Sequence, residues 1–314
     1  MYRIGIDLGG INIAAGLVTE EGKIIAAKSV PTREPGDCDV IIAEKMAKLS
    51  LDLIKENSLN EDDIALIGMG IPGAVDNVKG IIAGTANVPF KNFNMREFFA
   101  KYTKIPIALG NDANCAALGE AVAGAAKGKS EVIVVTLGTG VGGGIITGGK
   151  MYVGFNGVAG ELGHIVTHRG GRKCGCGRCG CFEQYASASA IIRDAREALA
   201  DNPDSLLGTL AGGDPMKISG KIVFEADAKG DVTAKNVVDN YIEELGDGIA
   251  NFVNIFQPEI VLIGGGICNA GERLLAPLRD YVYNHCFGKG LVKLPEIERA
   301  MLGNDAGIIG AAMM

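Results

Sequence analysis

Tyr2-Arg3-Ile4-Gly5-Ile6-Asp7-Leu8-Gly9-Gly10-Ile11-Asn12-Ile13-Ala14-Ala15-Gly16-Leu17-Val18 decides how the fold is read. Two short apolar runs, Ile4–Ile6 and Ile13–Val18, flank the turn Asp7-Leu8-Gly9-Gly10. A third run, Lys23–Ala26, comes after the turn Glu20-Glu21-Gly22, so the opening reads as a β-meander. Roughly 130 residues later the unit returns: Val132–Leu137, then Gly138-Thr139-Gly140, then Val141–Ile146. This recurrence predicts an α/β protein of two related domains facing each other across a cleft.

Between and beyond the two copies, apolar spacing predicts helices over Val40–Lys55, Ala113–Ala126, Ser189–Ala200 and Lys235–Phe256. Buried-type strands are expected at Ile64–Met69, Ile105–Leu109 and Ile260–Ile263. The tail, Asp305–Met314, reads as a small-residue helix with Asp305 as its N-cap. The expected division is a small domain of 1–113 plus 303–314, and a larger domain of 114–302.

Composition narrows the function. Of 314 residues, 47% are hydrophobic, enough for a substantial core. The net charge of −7, with no long basic run, argues against a nucleic-acid partner. No run reaches the roughly 18 apolar residues of a membrane span. A strand-like run begins at Tyr2, leaving no room for a signal peptide, so a cytoplasmic location is expected. The 47 glycines point to tight turns and close backbone approaches.

Three glycine turns come after strands: Asp7–Gly10, Gly138–Gly144 and Gly264–Gly266. Glycine lets backbone N–H groups approach phosphate oxygens. An Asp beside such a turn can hold Mg²⁺, and Thr139 can donate its hydroxyl. Together the three turns point to nucleotide binding. Neither a G-x-x-x-x-G-K-[ST] loop nor a convincing dinucleotide fingerprint occurs.

Four of the eight cysteines lie within Cys174–Cys181. The segment Cys174-Gly175-Cys176-Gly177-Arg178-Cys179-Gly180-Cys181 lies shortly after Gly160-Glu161-Leu162-Gly163-His164. Thiolates and an imidazole at this spacing suit tetrahedral zinc. With no vacant position evident, the expected zinc is structural, and one of the five candidate ligands is left over.

These residues resemble the ROK family of sugar kinases and regulators, whose signature reads G-E-x-G-H, a gap, then C-x-C-G-x-x-G-C-x-E. Glu161, His164, Cys174, Cys176, Cys181 and Glu183 stand in that register. The similarity runs from Asp7-x-Gly-Gly to Gly303-Asn304-Asp305-Ala306-Gly307. It implies a two-domain actin/hexokinase-like (ribonuclease H-like) fold with an interdomain cleft. It also implies ATP-dependent phosphorylation of a hexose, with Mg²⁺ and a structural Zn²⁺.

The resemblance assigns roles. His164, Cys174, Cys176 and Cys181 would bind zinc, and Cys179 would be the spare thiol. Asp112 would be the catalytic base, although its position alone equally suits a helix cap. Gly73, Asn87, Asn111, Asp112, Glu161, His164 and Glu183 would bind sugar, so His164 would join the metal to the pocket. Asp7, Gly9, Gly10, Asn12, Gly138, Thr139, Gly140, Gly265 and Gly266 would bind ATP. A homodimer or homotetramer is implied.

One departure stands out. The family's first motif usually reads D-x-G-G-T-K, and here Ile11 and Asn12 replace its last two residues. Ile11 donates no hydroxyl and Asn12 carries no charge. Glucose is the leading substrate. N-acetylmannosamine, N-acetylglucosamine, mannose, fructose and allose are alternatives, and a catalytically weak sugar-binding protein is a reading of another class. A repressor of the same family is disfavoured, since Asp7 leaves no room ahead of it for a DNA-binding domain.

Overall fold

The computed structural model describes residues 1–34, 36–85 and 87–314. In chain order its strands are β1 (Tyr2–Leu8), β2 (Asn12–Val18), β3 (Ile24–Pro31), β4 (Ile64–Ile71), β5 (Gly73–Asp76), β6 (Ile81–Thr85), β7 (Lys91–Asn94), β8 (Ile107–Asn111), β9 (Val132–Leu137), β10 (Val141–Thr147), β11 (Lys150–Met151), β12 (Ile260–Gly264) and β13 (Glu296–Arg299). The helices are α1 (Asp39–Glu56), α2 (Met95–Phe99), α3 (Asp112–Ala123), α4 (Glu183–Ala186), α5 (Ala188–Asp201), α6 (Leu206–Leu210), α7 (Gly220–Ala228), α8 (Val232–Phe256), α9 (Glu272–His285) and α10 (Asp305–Ala312).

Two five-stranded sheets share one strand order, β3-β2-β1-β4-β8 and β11-β10-β9-β12-β13. In the first, β1 pairs antiparallel with β2 and parallel with β4. In the second, β10 pairs antiparallel with β11, and β12 pairs parallel with β13. The recurrence read from the opening residues therefore extends to a whole sheet topology.

The chain forms two compact units. The first is Met1–Val134, Gly144–Gly160 and Ala300–Met314; the second is Val135–Gly143 and Glu161–Arg299. This division differs from a boundary at 113/114, which would fall inside α3. Helix α3 stays with the first unit because α10 packs along it. The buried Glu120 of α3 fastens the approach to α10: its Oε1 accepts from the Met301 and Leu302 amides at 2.8 and 2.7 Å.

In the first unit, Ile4, Ile6 and Leu8 of β1 and Ile67, Met69 and Ile71 of β4 are fully buried. Helix α1 covers them with Ile42, Met46, Leu49 and Leu53, spaced three and four apart so that they share one face. The opposite face of the sheet receives α10 at backbone contact. A Cβ on Gly5 or Gly68 would overlap the carbonyl oxygen of Ile308 or Ala311. Much of the glycine content thus serves helix packing as well as turns. Asn304, not Asp305, is the residue flanking α10, and it makes no side-chain cap bond.

A three-stranded antiparallel sheet, β5-β6-β7, extends this unit. Asn77, in the β5–β6 turn, accepts from the Leu109 amide of β8 at 2.8 Å and so anchors the small sheet to the large one.

The second unit is built around α8. Asp231 starts the helix by accepting from the Ala234 amide at 2.7 Å, and Gln257, left-handed at φ 45°, ends it. That cap places the start three residues ahead of the expected Lys235. Fully buried Phe182 packs edge-on to Phe252 of α8, with ring centroids 5.7 Å apart, and lies over Gly248. Among the described residues no helix is long and apolar enough to cross a membrane.

Candidate active site

In the first unit, Asp7 stands one residue before the end of β1 and Asp112 opens α3 directly after β8. The helix cap falls to Asn111, whose side-chain oxygen accepts from the Ala113 and Asn114 amides at 3.0 and 3.2 Å. Its amide donates to the Gly73 carbonyl at 3.4 Å. Asn111 is therefore committed to holding β5 against the start of α3. Asp112 stands in the first turn, where the helix dipole favours negative charge, and its Oδ1 accepts from the Ala113 amide at 2.9 Å.

Asp7 and Asp112 act on each other. Burial, then the Asp112 carboxylate nearby, pushes the Asp7 carboxyl from its ordinary 3.8 up to about 6. Helix α10 closes over it: a Cβ on Gly307 would come within 2.7 Å of Asp7 Oδ2. The raised value favours folding below about pH 4, where the carboxyl is neutral in both states. That contribution is lost as pH climbs through 6, on the order of 3 kcal/mol in all. Ligand-free Asp7→Asn should therefore melt above wild type at pH 8, and the two should converge near pH 4. Equal melting temperatures at pH 8 would contradict the burial of charge at Asp7.

The turn after Asp7 is tightly made. The Gly9 amide donates to the Asn12 carbonyl at 2.9 Å, and a Cβ on Gly9 would stand 2.8 Å from that oxygen. Gly10 meets only ordinary contact, with the Asn87 Cβ at 3.8 Å. Asn87 is exposed beside this turn, on a loop held by the Thr85 hydroxyl, which donates to the Val88 carbonyl at 2.5 Å. Ile11 is 81% exposed, and Asn12 is exposed too. Gly73 is required by the sheet, because a Cβ there would stand 2.9 Å from Thr85 Cα.

In the second unit, the turn Gly138–Gly140 closes with the Gly138 amide on the Gly140 carbonyl at 3.0 Å. Glu183 holds this turn through Oε2, which accepts from the Val141 amide at 3.1 Å. A Cβ on Gly140 would overlap that carboxylate. Gly265 needs its left-handed φ of 95°, whereas added Cβ atoms on Gly138 and Gly266 would meet nothing within 4 Å. Glycine at these two open positions answers no packing demand of the protein itself and leaves room for a ligand.

His164, Cys174, Cys176 and Cys181 converge, their ligand atoms all within 4.8 Å of one another. Cys176 Sγ and Cys181 Sγ are 3.6 Å apart, as are Cys174 Sγ and His164 Nδ1. Zinc–sulfur bonds of about 2.3 Å at a tetrahedral centre give sulfur–sulfur edges of about 3.8 Å, so the quartet fits one ion. Burial pushes the Cys174 thiol up and the Cys181 thiol up to about 12, while backbone hydrogen bonding lowers Cys176. Thiolates in such a place need a cation. His164 turns Nδ1 toward the thiols and Nε2 toward exposed Glu161, whose Oε2 is 4.0 Å away. Cys179 is exposed and outside the quartet. Glu183 Oε1 lies 3.6 Å from Cys174 Sγ, so one carboxylate links the glycine turn to the quartet.

Sequence reasoning missed the second duty of Glu183 and the structural work of Asn111. The signal for Asn111 was present, since Asn before a helix is a common N-cap. The Val141 amide and Gly307 carried no signal readable without coordinates.

The ROK family model matches residues 3–314. A glucokinase of Thermotoga maritima is 40% identical over 313 residues, covering 98% of this chain and 95% of its own. The ROK family glucokinase of Streptomyces griseus, solved with glucose and AMPPNP, is 34% identical, with a TM-score of 0.81 over 99% of this chain and 98% of its own. The ROK hexokinase of Thermus thermophilus is 33% identical, with a TM-score of 0.81 over 100% and 97%.

Proposed function

Because the chain belongs to the ROK family, we propose that it transfers the γ-phosphoryl group of ATP to the 6-hydroxyl of glucose. It is a sugar kinase of actin/hexokinase-like fold. The observation that carries the chemistry is the pair Asp7 and Asp112 beside a glycine turn.

A sugar hydroxyl is a weak nucleophile. Asp112 accepts its proton as the oxygen attacks the γ-phosphorus, the bond to the β-phosphate oxygen breaks, and ADP leaves. The turns at Gly9–Gly10, Gly138–Gly140 and Gly265–Gly266 are proposed to receive the nucleotide through backbone N–H groups. Asp7 is proposed to hold Mg²⁺, which would neutralise phosphate charge and offset the repulsion between the Asp7 and Asp112 carboxylates. Gly73, Asn87, Asn111, Glu161, His164 and Glu183 are proposed to contact sugar. Zinc held by His164, Cys174, Cys176 and Cys181 would be a structural brace, with His164 Nε2 left to donate toward a carboxylate or sugar oxygen. Eight free cysteines and a need for ATP suit a reducing cytoplasm. A homodimer or homotetramer is proposed by family likeness.

Exposed Ile11 and Asn12 favour one second reading, a catalytically weak sugar-binding protein. A coupled ATP-consumption assay over glucose, mannose, fructose, allose, N-acetylglucosamine and N-acetylmannosamine separates the two. The expected result is the highest kcat/KM with glucose. A higher value with another sugar would replace the substrate. Sugar binding without turnover would establish the second reading.

A further inference from the structure

The first glycine turn lacks the hydroxyl and the ammonium that Thr and Lys would bring, so anion binding there falls on backbone amides. What aims those amides lies one strand away. Thr32, just past the end of β3, is fully buried. Its hydroxyl donates to the Gly9 carbonyl at 2.6 Å, and its backbone amide donates to the Ile11 carbonyl at 2.8 Å.

The peptide bonds here are trans and planar, so each carbonyl and the following N–H point in opposite directions. Drawing the Gly9 carbonyl toward buried Thr32 turns the Gly10 N–H the other way. Drawing in the Ile11 carbonyl does the same for the Asn12 N–H. The side to which they turn is that of exposed Gly10, Ile11 and Asn12. Among the described residues, no protein acceptor takes the Gly10 or Ile11 amide.

We propose that Thr32 is a positioning residue for the phosphoryl donor: by holding the Gly9 and Ile11 carbonyls, it presents the Gly10 and Asn12 amides to the ATP phosphates. This rests on the reading of the chain as an ATP-dependent kinase. Thr32 acts through the turn and touches neither substrate. In a turn without Thr and Lys, the directions of these amides carry more of the donor affinity.

The test compares Thr32→Val, which keeps the shape and removes the hydroxyl, with Thr32→Ser, which keeps the hydroxyl. Initial rates give KM for ATP and for glucose, and calorimetry gives the dissociation constant of Mg²⁺-AMPPNP. Thr32→Val should raise KM for ATP and weaken AMPPNP about fivefold to tenfold, the scale of one buried hydrogen bond. KM for glucose should stay within twofold, and Thr32→Ser should recover most of the loss. An unchanged AMPPNP affinity in Thr32→Val overturns the proposal. So does a parallel rise in both KM values, the mark of a merely structural role. If wild type fails to phosphorylate sugar while Thr32→Val still weakens AMPPNP, the kinase reading falls and the role of Thr32 in the turn stands.

Discussion

Asp112→Asn should lower kcat for glucose phosphorylation by about 10³-fold, within the range of 10² to 10⁴ typical of a general base. Asparagine keeps the size of the side chain but accepts no proton at neutral pH. Asn111, not Asp112, caps α3, so the substitution leaves the cap bonds to Ala113 and Asn114 intact. The helix should therefore persist, and the dissociation constant for glucose should change by no more than a few fold. Charge brings a second consequence. With the Asp112 carboxylate gone, the Asp7 carboxyl loses one of the two causes that raise it and should titrate below about 6. Steady-state kinetics with isothermal titration of glucose checks the first point. Near-normal turnover in Asp112→Asn would remove the base from Asp112.

Cys181→Ser should be the most damaging change in the second unit. Cys181 is fully buried, bridges in antiparallel fashion to Val166, and precedes Phe182, which packs against α8. A serine oxygen is a poor zinc ligand, and the remaining thiols, buried Cys174 and exposed Cys176, would be left without a cation. The segment from Glu161 to Glu183 carries three proposed sugar ligands, so the loss should appear first as a rise in KM for glucose, on the order of a hundredfold. Wild type stripped by a chelator should show the same rise and recover with added Zn²⁺, whereas Cys181→Ser should not recover. Stripped wild type with unchanged KM and melting temperature would contradict the brace.

The features legible in the sequence were those encoded locally. Alternating glycine turns and apolar strands announced both sheets, because a strand buried on both faces is written as a continuous apolar run. Five candidate metal ligands were legible because they fall within a short stretch at zinc-like spacing; the family resemblance singled out His164, Cys174, Cys176 and Cys181, the four whose ligand atoms converge. The small sheet β5-β6-β7 was not legible. Its strands have four or five residues, and it is tied to β8 by bonds between residues far apart in the chain, from the Leu109 amide to Asn77 and from the Asn111 side-chain amide to the Gly73 carbonyl. Gly5 and Gly68, which admit α10, read only as members of strands, because the partner carbonyls of Ile308 and Ala311 lie some 240 to 300 positions away in the chain. Thr32 was invisible for the same reason: a Thr after a strand signals nothing until Gly9 and Ile11 are seen against it. The compact units divide elsewhere than at 113/114: α3 stands next to β9 in the chain and reads as the opening helix of the second domain. Its packing partner is α10, the last helix of the chain.

The central claim is that this chain phosphorylates glucose with ATP, and phosphorus NMR of the reaction mixture tests it most directly. Purified zinc-loaded protein is incubated with glucose, ATP and Mg²⁺, and products are monitored over time. The account predicts glucose 6-phosphate and ADP appearing in equal amounts, with Asp112→Asn giving neither on the same timescale. Saturating glucose with ATP left intact, or ATP hydrolysed to phosphate without a sugar phosphate, would contradict it.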